Sequence, residues 1–140
     1  MKASNNIIIL IFVLDFITTN HVNAFFYHTR RMGVQINNHI RDGTRLKVHC
    51  KSGDDDLGLH ILGDGEEVHW TFAPNFLYTT LIFCYVQWRN SPWYHFDALK
   101  MDRDWGCDHC YYSMDPDYKL RLWHWVQGNH VWTEVELHQI

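Results

Sequence analysis

The chain has 140 residues, of which 46% are hydrophobic, 16% aromatic and 20% charged, with a formal charge of −4. That length holds one domain with a modest core, and the aromatic and apolar content excludes a disordered chain. The weakly acidic balance excludes a phosphate-coating role on nucleic acid.

The N-terminus reads as a leader. Lys2 gives a short positive start, and residues 7–17 (IIILIFVLDFI) are apolar apart from Asp15. Val22 and Ala24 then occupy the −3 and −1 positions of a cleavage site that leaves Phe25 first. The run is shorter than the roughly 20 residues that span a bilayer. Residues 1–24 are therefore expected to be a signal peptide, and 25–140 a single secreted domain with no membrane insertion.

From Gly33 onward the apolar residues recur with period two, as half-buried strands require. Val34 and Ile36 begin the pattern, followed by Leu46, Val48 and Cys50, then Leu57, Leu59 and Ile61, then Val68, Trp70 and Phe72. Residues 79–88 (TTLIFCYVQW) are apolar on both faces and read as a central strand. Shorter strands are expected at 93–97 and 110–114. Residues 119–126 and 131–137 flank Gln127-Gly128-Asn129 and read as a C-terminal hairpin. The breaks carry turn chemistry, as in Arg41-Asp42-Gly43, Gly63-Asp64-Gly65 and Asp115-Pro116-Asp117. No stretch holds a helical apolar stripe, so the expected fold is all-β, a small antiparallel β-sandwich with disulfides.

Four cysteines, Cys50, Cys84, Cys107 and Cys110, all follow the leader. An even count in a small secreted chain implies two disulfides, which three pairings could satisfy. Cys107-x-x-Cys110 lacks the second ligand pair of a zinc site and the βαβ context of a redox motif. Cys50–Cys110 with Cys84–Cys107 is the expected pairing, because it ties two neighbouring loop cysteines to two strands.

Five ordered blocks resemble the plant self-incompatibility protein S1 family, the S-protein homologues. Val48-His49-Cys50-Lys51-Ser52-Gly53-Asp54-Asp55-Asp56-Leu57-Gly58 is similar to the family's VHCKSxDDDLG block. Trp70-Thr71-Phe72 with Asn75-Phe76 resembles WxFxxNF, and residues 79–84 with Trp88 resemble TTLFFCxxxW. His95-Phe96-Asp97 then Asp102-Arg103-Asp104 resembles the FD…DRD stretch, and Cys107, Cys110 and Ser113 resemble CxxCxWSI. The likeness runs over residues 34–114. It implies a secreted, disulfide-bonded β-sandwich that is not an enzyme, in a family whose best-understood members are stigma-side ligands of a pollen-surface receptor. The family's further cysteine pair in the last third is absent: residues 115–118 and 131–140 contain none.

Asp54, Asp55 and Asp56 cluster as calcium ligands do, but they fall short of six to eight oxygens, so a tight turn is expected. The eleven histidines lack HExxH or any ligand spacing, and no metal or other cofactor is expected. With unperturbed imidazoles, roughly nine in ten are protonated at pH ~5.5, which reverses the sign of the net charge. Attachment to acidic wall polymer or a carboxylate-rich receptor face should then strengthen as pH falls. No G-x-S-x-G occurs, and Ser52, Ser91 and Ser113 have no His–Asp setting, so no catalytic residue is assigned.

Residues 98–109 form the expected recognition loop. It is long and charged, and is pinned by cysteines, with Asp102, Arg103, Asp104 and Trp105 as the partner-binding residues. The rival face is the aromatic set Trp123, Trp125 and Trp132, which suits a glycan- or wall-binding module if exposed and the core if buried. Trp70 and Trp88 are expected in the core. The expectation is a monomeric extracellular signalling ligand for a cell-surface receptor, with a cell-wall polymer as a further partner.

Overall fold

The computed structural model describes residues 9–11, 31–73, 79–104 and 107–140, with backbone alone at Trp125 and Val126. The proposed cleavage point lies outside the described residues. Residues 9–11 are helical, and the chain divides into units at Arg30 and Arg31. All that follows concerns the second unit.

That unit contains ten strands. They are β1 Met32–Asn38, β2 Leu46–Lys51, β3 Asp56–Leu62, β4 Glu67–Phe72, β5 Leu81–Trp88, β6 Tyr94–Lys100, β7 His109–Met114, β8 Leu120–Val126, β9 Asn129–Glu134 and β10 His138–Gln139. A single turn of helix, α1 (Met101–Asp104), follows β6. One sheet has the order β4-β1-β7-β8-β9, the other β10-β6-β5-β2-β3. The doubly apolar β5 is central in its sheet, as its pattern requires. Every described pairing is antiparallel except β1 with β7. Those two strands are separated by β2–β3 and β5–β6 in the other sheet and by β4 in their own, which gives the chain length a parallel return needs. Gly33 permits their close approach: a Cβ there would lie 2.3 Å from the His109 ring.

Side chains alternating inward from both sheets make one core. Val34, Ile36, Tyr112, Met114 and Leu120 from the first sheet are buried with Leu46, Val48, Ile82, Val86, Phe96 and Ala98 from the second. Two polar groups tie the layers. The β5–β6 register slips between Ile82, opposite Leu99, and Phe83, opposite Asp97, leaving Ala98 as a bulge residue. The Tyr112 hydroxyl donates to the Ala98 carbonyl at 2.8 Å, with its ring 5.1 Å from Phe96. Asn38, fully buried at the end of β1, donates through Nδ2 to the carbonyls of Thr44 and Leu62, and its Oδ1 accepts from Ile40 N–H.

Three expectations are corrected. Leu57 packs against the core, but Leu59 and Ile61 are about half exposed, at 53% and 50%. The pairing of β2 with β3 shifts by one residue near Gly58, whose φ is +83°, and a bulge of one residue flips every later side chain to the opposite face. Trp70 and Trp88 border the core rather than fill it, Trp88 stacked on Tyr94 at 5.2 Å.

The disulfides are Cys50–Cys84 and Cys107–Cys110, not the expected cross pairing. Cys50 and Cys84 are direct register partners on neighbouring strands, with Cα atoms 4.0 Å apart. Cys110 faces the core from the other sheet. The first bond therefore staples two strands within one sheet, and the second closes the short turn before β7.

Two measurements follow from this packing. Tyr112→Phe leaves the bulge carbonyl without its donor and should lower stability by about 1–2 kcal/mol in urea unfolding; an unshifted midpoint contradicts the tie. The loop closed by Cys50–Cys84 has a sequence separation of 34 against 3 for the other bond. Chain-entropy reasoning gives about 4 kcal/mol for the first and about 2 for the second. Paired alanine variants compared under oxidising conditions should keep that order.

Candidate recognition surface

The charged segment after β6 folds back on itself. Asp104 is buried at 7% exposure, and its Oδ2 accepts the Lys100 backbone N–H at 2.8 Å, reaching back across the turn as a capping carboxylate does. Arg103 grips the same carboxylate from two sides, Nε to Oδ1 at 2.7 Å and Nη2 to Oδ2 at 2.6 Å. Its Nη2 also donates to the Asp97 carbonyl on β6. The Asp104 hydrogen bonds raise the Arg103 pKa above its ordinary value, against the opposing effect of partial burial.

The four expected contact residues thus separate by role. Asp104 is a buried brace and Arg103 is half committed to it. Asp102 is 73% exposed beside Lys100, 3.6 Å away, and Trp105 lies outside the described residues. Arg103 also lines two adjoining cavities. One, of about 530 Å³, takes in His95, Asp97, His124, Glu134, Glu136 and His138. The other, of about 450 Å³, runs past Cys107, Asp108, His109, Trp123 and His130. Imidazoles and carboxylates both line this cleft. None of its histidines stood out by spacing, because four strands and the C-terminal β10 contribute them.

No group of three or more metal-ligating side chains occurs among the described residues. The Asp54–Asp56 segment makes a turn: Ser52 Oγ accepts Asp55 N–H, and Asp56 accepts Gly58 N–H at 2.9 Å and meets His49 at 2.6 Å. The Gly58 N–H and then His49 hold the Asp56 pKa below its usual range.

The tryptophan set lies on the outer face of the first sheet. Trp123 pairs in register with Trp132 on one side and with Tyr111 on the other. Trp132 is 46% exposed and Trp123 half-buried, and neither belongs to the core cluster; the Trp125 side chain lies outside the described residues. Tyr111 and His130 complete the face and were not foreseen, since a cross-strand row becomes visible only with the register.

These features define a class: a small disulfide-bonded β-sandwich that presents a braced charged turn, a histidine-lined cleft and an aromatic sheet face. A family model described as plant self-incompatibility protein S1 matches residues 33–133. Similar proteins in Arabidopsis thaliana include S-protein homolog 29, 34% identical over 119 residues, which are 84% of this chain and 86% of that one. S-protein homolog 19 is 39% identical over 107 residues, 71% of this chain and 78% of its own. S-protein homolog 5 is 43% identical over 81 residues, 57% of this chain, and the match spans 62% of that relative, less than two thirds. The chain belongs to the plant self-incompatibility protein S1 family.

The brace and the exposed acid should be separable by mutation. Asp104→Asn weakens both Arg103 contacts and the Lys100 cap, and should cost about 2 kcal/mol, given that Arg103 is half exposed. Asp102→Asn should stay within about 0.5 kcal/mol. Equal losses in thermal unfolding contradict the division of roles.

Proposed function

We propose that the protein is a secreted, non-enzymatic signalling ligand that binds a receptor protein on a plant cell surface. Residues 1–24 act as its signal peptide, and Phe25 is the first residue of the mature chain. The observation that carries the reading is the braced turn at 100–104. Its backbone is fixed by the buried Asp104, and its Lys100 and Asp102 side chains are exposed beside the cleft. A turn that is already ordered loses less entropy on binding than a free loop. Family membership supports the same class, and no helix among the described residues is long and apolar enough to cross a membrane. Recognition would use surface complementarity: Asp102 and Lys100 set the polarity of the approach, and the cleft receives what the partner projects. Whether rejection of pollen is the outcome depends on which cells carry the receptor.

The test is binding of the labelled mature protein to plasma membranes from pollen tubes and from leaf cells. Saturable binding that protease treatment of the membranes removes is expected on at least one of them. Reversing the exposed pair, with Lys100→Glu and Asp102→Lys together, should weaken it about tenfold through lost charge complementarity while unfolding is unchanged. Binding that survives protease, or is indifferent to the reversal, overturns the receptor reading at this turn. N-terminal sequencing of the protein secreted from plant cells should begin at Phe25.

A further inference from the structure

The receptor reading reaches the outer face of the first sheet only where Trp123 and His130 border the second cavity, and it leaves Tyr111 and Trp132 unused. Register aligns His69, Gln35, Tyr111, Trp123 and Trp132 in one row across its five strands. At the β7–β8–β9 end the rings meet. Trp123 and Trp132 have centroids 5.1 Å apart at 52°, and Tyr111 meets Trp132 at 5.6 Å and 67°. His130 lies flat on Trp123, 5.2 Å away at 5°, and holds the indole in place. The three large rings wall a notch of about 270 Å³. The indole N–H groups of Trp123 and Trp132 have no hydrogen-bond partner among the described residues. They are donors left available on this face.

Size, shape and charge together select the occupant. The notch is just below the roughly 300 Å³ at which pockets for whole small ligands begin, so it suits one ring of a longer chain. Its walls are tilted aromatic faces, which favour a body with an apolar C–H side. The row beside it is polar throughout: Glu67, Asn37, Ser113, Arg121 and Glu134 in register. Gln35 is fixed by Glu67 at 2.7 Å and by His109 at 2.9 Å, so its amide is already oriented. A protein partner's hot spot is ordinarily ringed by near-neutral contacts, with charge depleted at its core. Here the Glu134 carboxylate and the Arg121 guanidinium lie one row from the rings, and the oriented Gln35 amide lies in the ring row, an arrangement suited to hydroxyls that both donate and accept. Arg121 is neutralised by Asp115 and Asp117, each at 2.6 Å, and Lys119 by Glu134 at 2.7 Å. With Glu67 the face carries four carboxylates, Glu67, Glu134, Asp115 and Asp117, against two cations, Arg121 and Lys119. That excess of negative charge disfavours a uronate.

We propose that the notch of Tyr111, Trp123 and Trp132 binds one pyranose ring of a neutral hexose polysaccharide, its C–H face on the indoles and its hydroxyls toward the polar row. The notch shares Trp123 with the cavity beside the braced turn but includes no residue of that turn, and it does not depend on the receptor reading. It would hold the ligand on neutral wall polymer while the turn remains free.

The experiment titrates the disulfide-bonded mature protein at pH 7 with three probes: a β-1,4-glucan hexamer, a β-1,4-galactan hexamer and hexagalacturonate. Calorimetry is combined with the indole N–H signals of the 15N-labelled protein. At least one neutral hexamer should bind and move the Trp123 and Trp132 signals. Trp132→Ala, at an exposed edge position, should weaken that binding at least about tenfold, and Trp132→Phe by less than about threefold. The wild-type indole signals decide the matter even if the alanine variant folds poorly. No binding of either neutral hexamer up to about 10 mM, tighter binding of hexagalacturonate, or unmoved indole signals overturns the proposal. So does a dimer that Trp132→Ala dissociates in protein that binds no sugar, which would assign the face to a second copy.

Discussion

Two sheets packed across a dry core can be tied by a polar group only if every buried donor and acceptor finds a partner. The Tyr112 hydroxyl and the Ala98 carbonyl meet that condition together. The bulge in β6 takes the carbonyl out of the ladder, and the phenol on β7 reaches across to it. Either feature alone is costly, because an unpaired carbonyl or hydroxyl at that depth costs about 1–3 kcal/mol. Burial also pushes the Tyr112 pKa well above its ordinary range, so the proton that makes the bond stays in place at any physiological pH. The same bulge sits at the start of the segment that ends in α1. The tie between the sheets and the placing of the charged turn are therefore one piece of geometry.

Periodicity made the strands legible, and it failed where the backbone departs from a regular pleat. A period of two reports which residues share a face only while the register is unbroken. At Gly58 it breaks, and Leu59 and Ile61 turn outward although their pattern matches the core strands. The position of β5 could be read because both its faces are apolar. The C-terminal hairpin could be read because Gln127 and Gly128 suit a turn with positive φ at both residues, and they have it, at 46° and 88°. The disulfides could not be read, since pairing depends on which strands are neighbours. Nor could the burial of Asp104: among Asp102, Arg103 and Asp104 the sequence offers three charges, and only the fold decides which carboxylate turns inward.

Charge is used in this molecule mainly to fix connections. Asp42 accepts from Thr44 N–H at 2.9 Å and from Tyr118 and Arg89 at 2.6 Å each, joining the β1–β2 loop to the end of β5 and the β7–β8 turn. Arg89 also lies over the Tyr118 ring at 5.3 Å, and Tyr118 stacks on Trp88. Arg121 performs the same service for Asp115 and Asp117. Surface pairs of this kind add little to global stability one by one. Their effect is to hold loop ends in a single arrangement, which leaves the loops' remaining side chains presented rather than free.

These fixed turns also bear on where the protein can work. Hydrogen bonds from Thr44 and Tyr118, with lesser help from Arg89, lower the Asp42 pKa from 3.8 to about 2. Asp56 and Asp117 are lowered as well, the first chiefly by Gly58 N–H and the second by Arg121. A carboxylate whose folded pKa is depressed contributes its stabilisation fully above the unfolded value and loses it only as pH falls through the folded one. For Asp42 that window lies between about 3.8 and about 2. Mild acidity, around pH 5–6, therefore leaves Asp42, Asp56 and Asp117 ionised and the turns they hold intact, because each is depressed below a range that already lies under that pH.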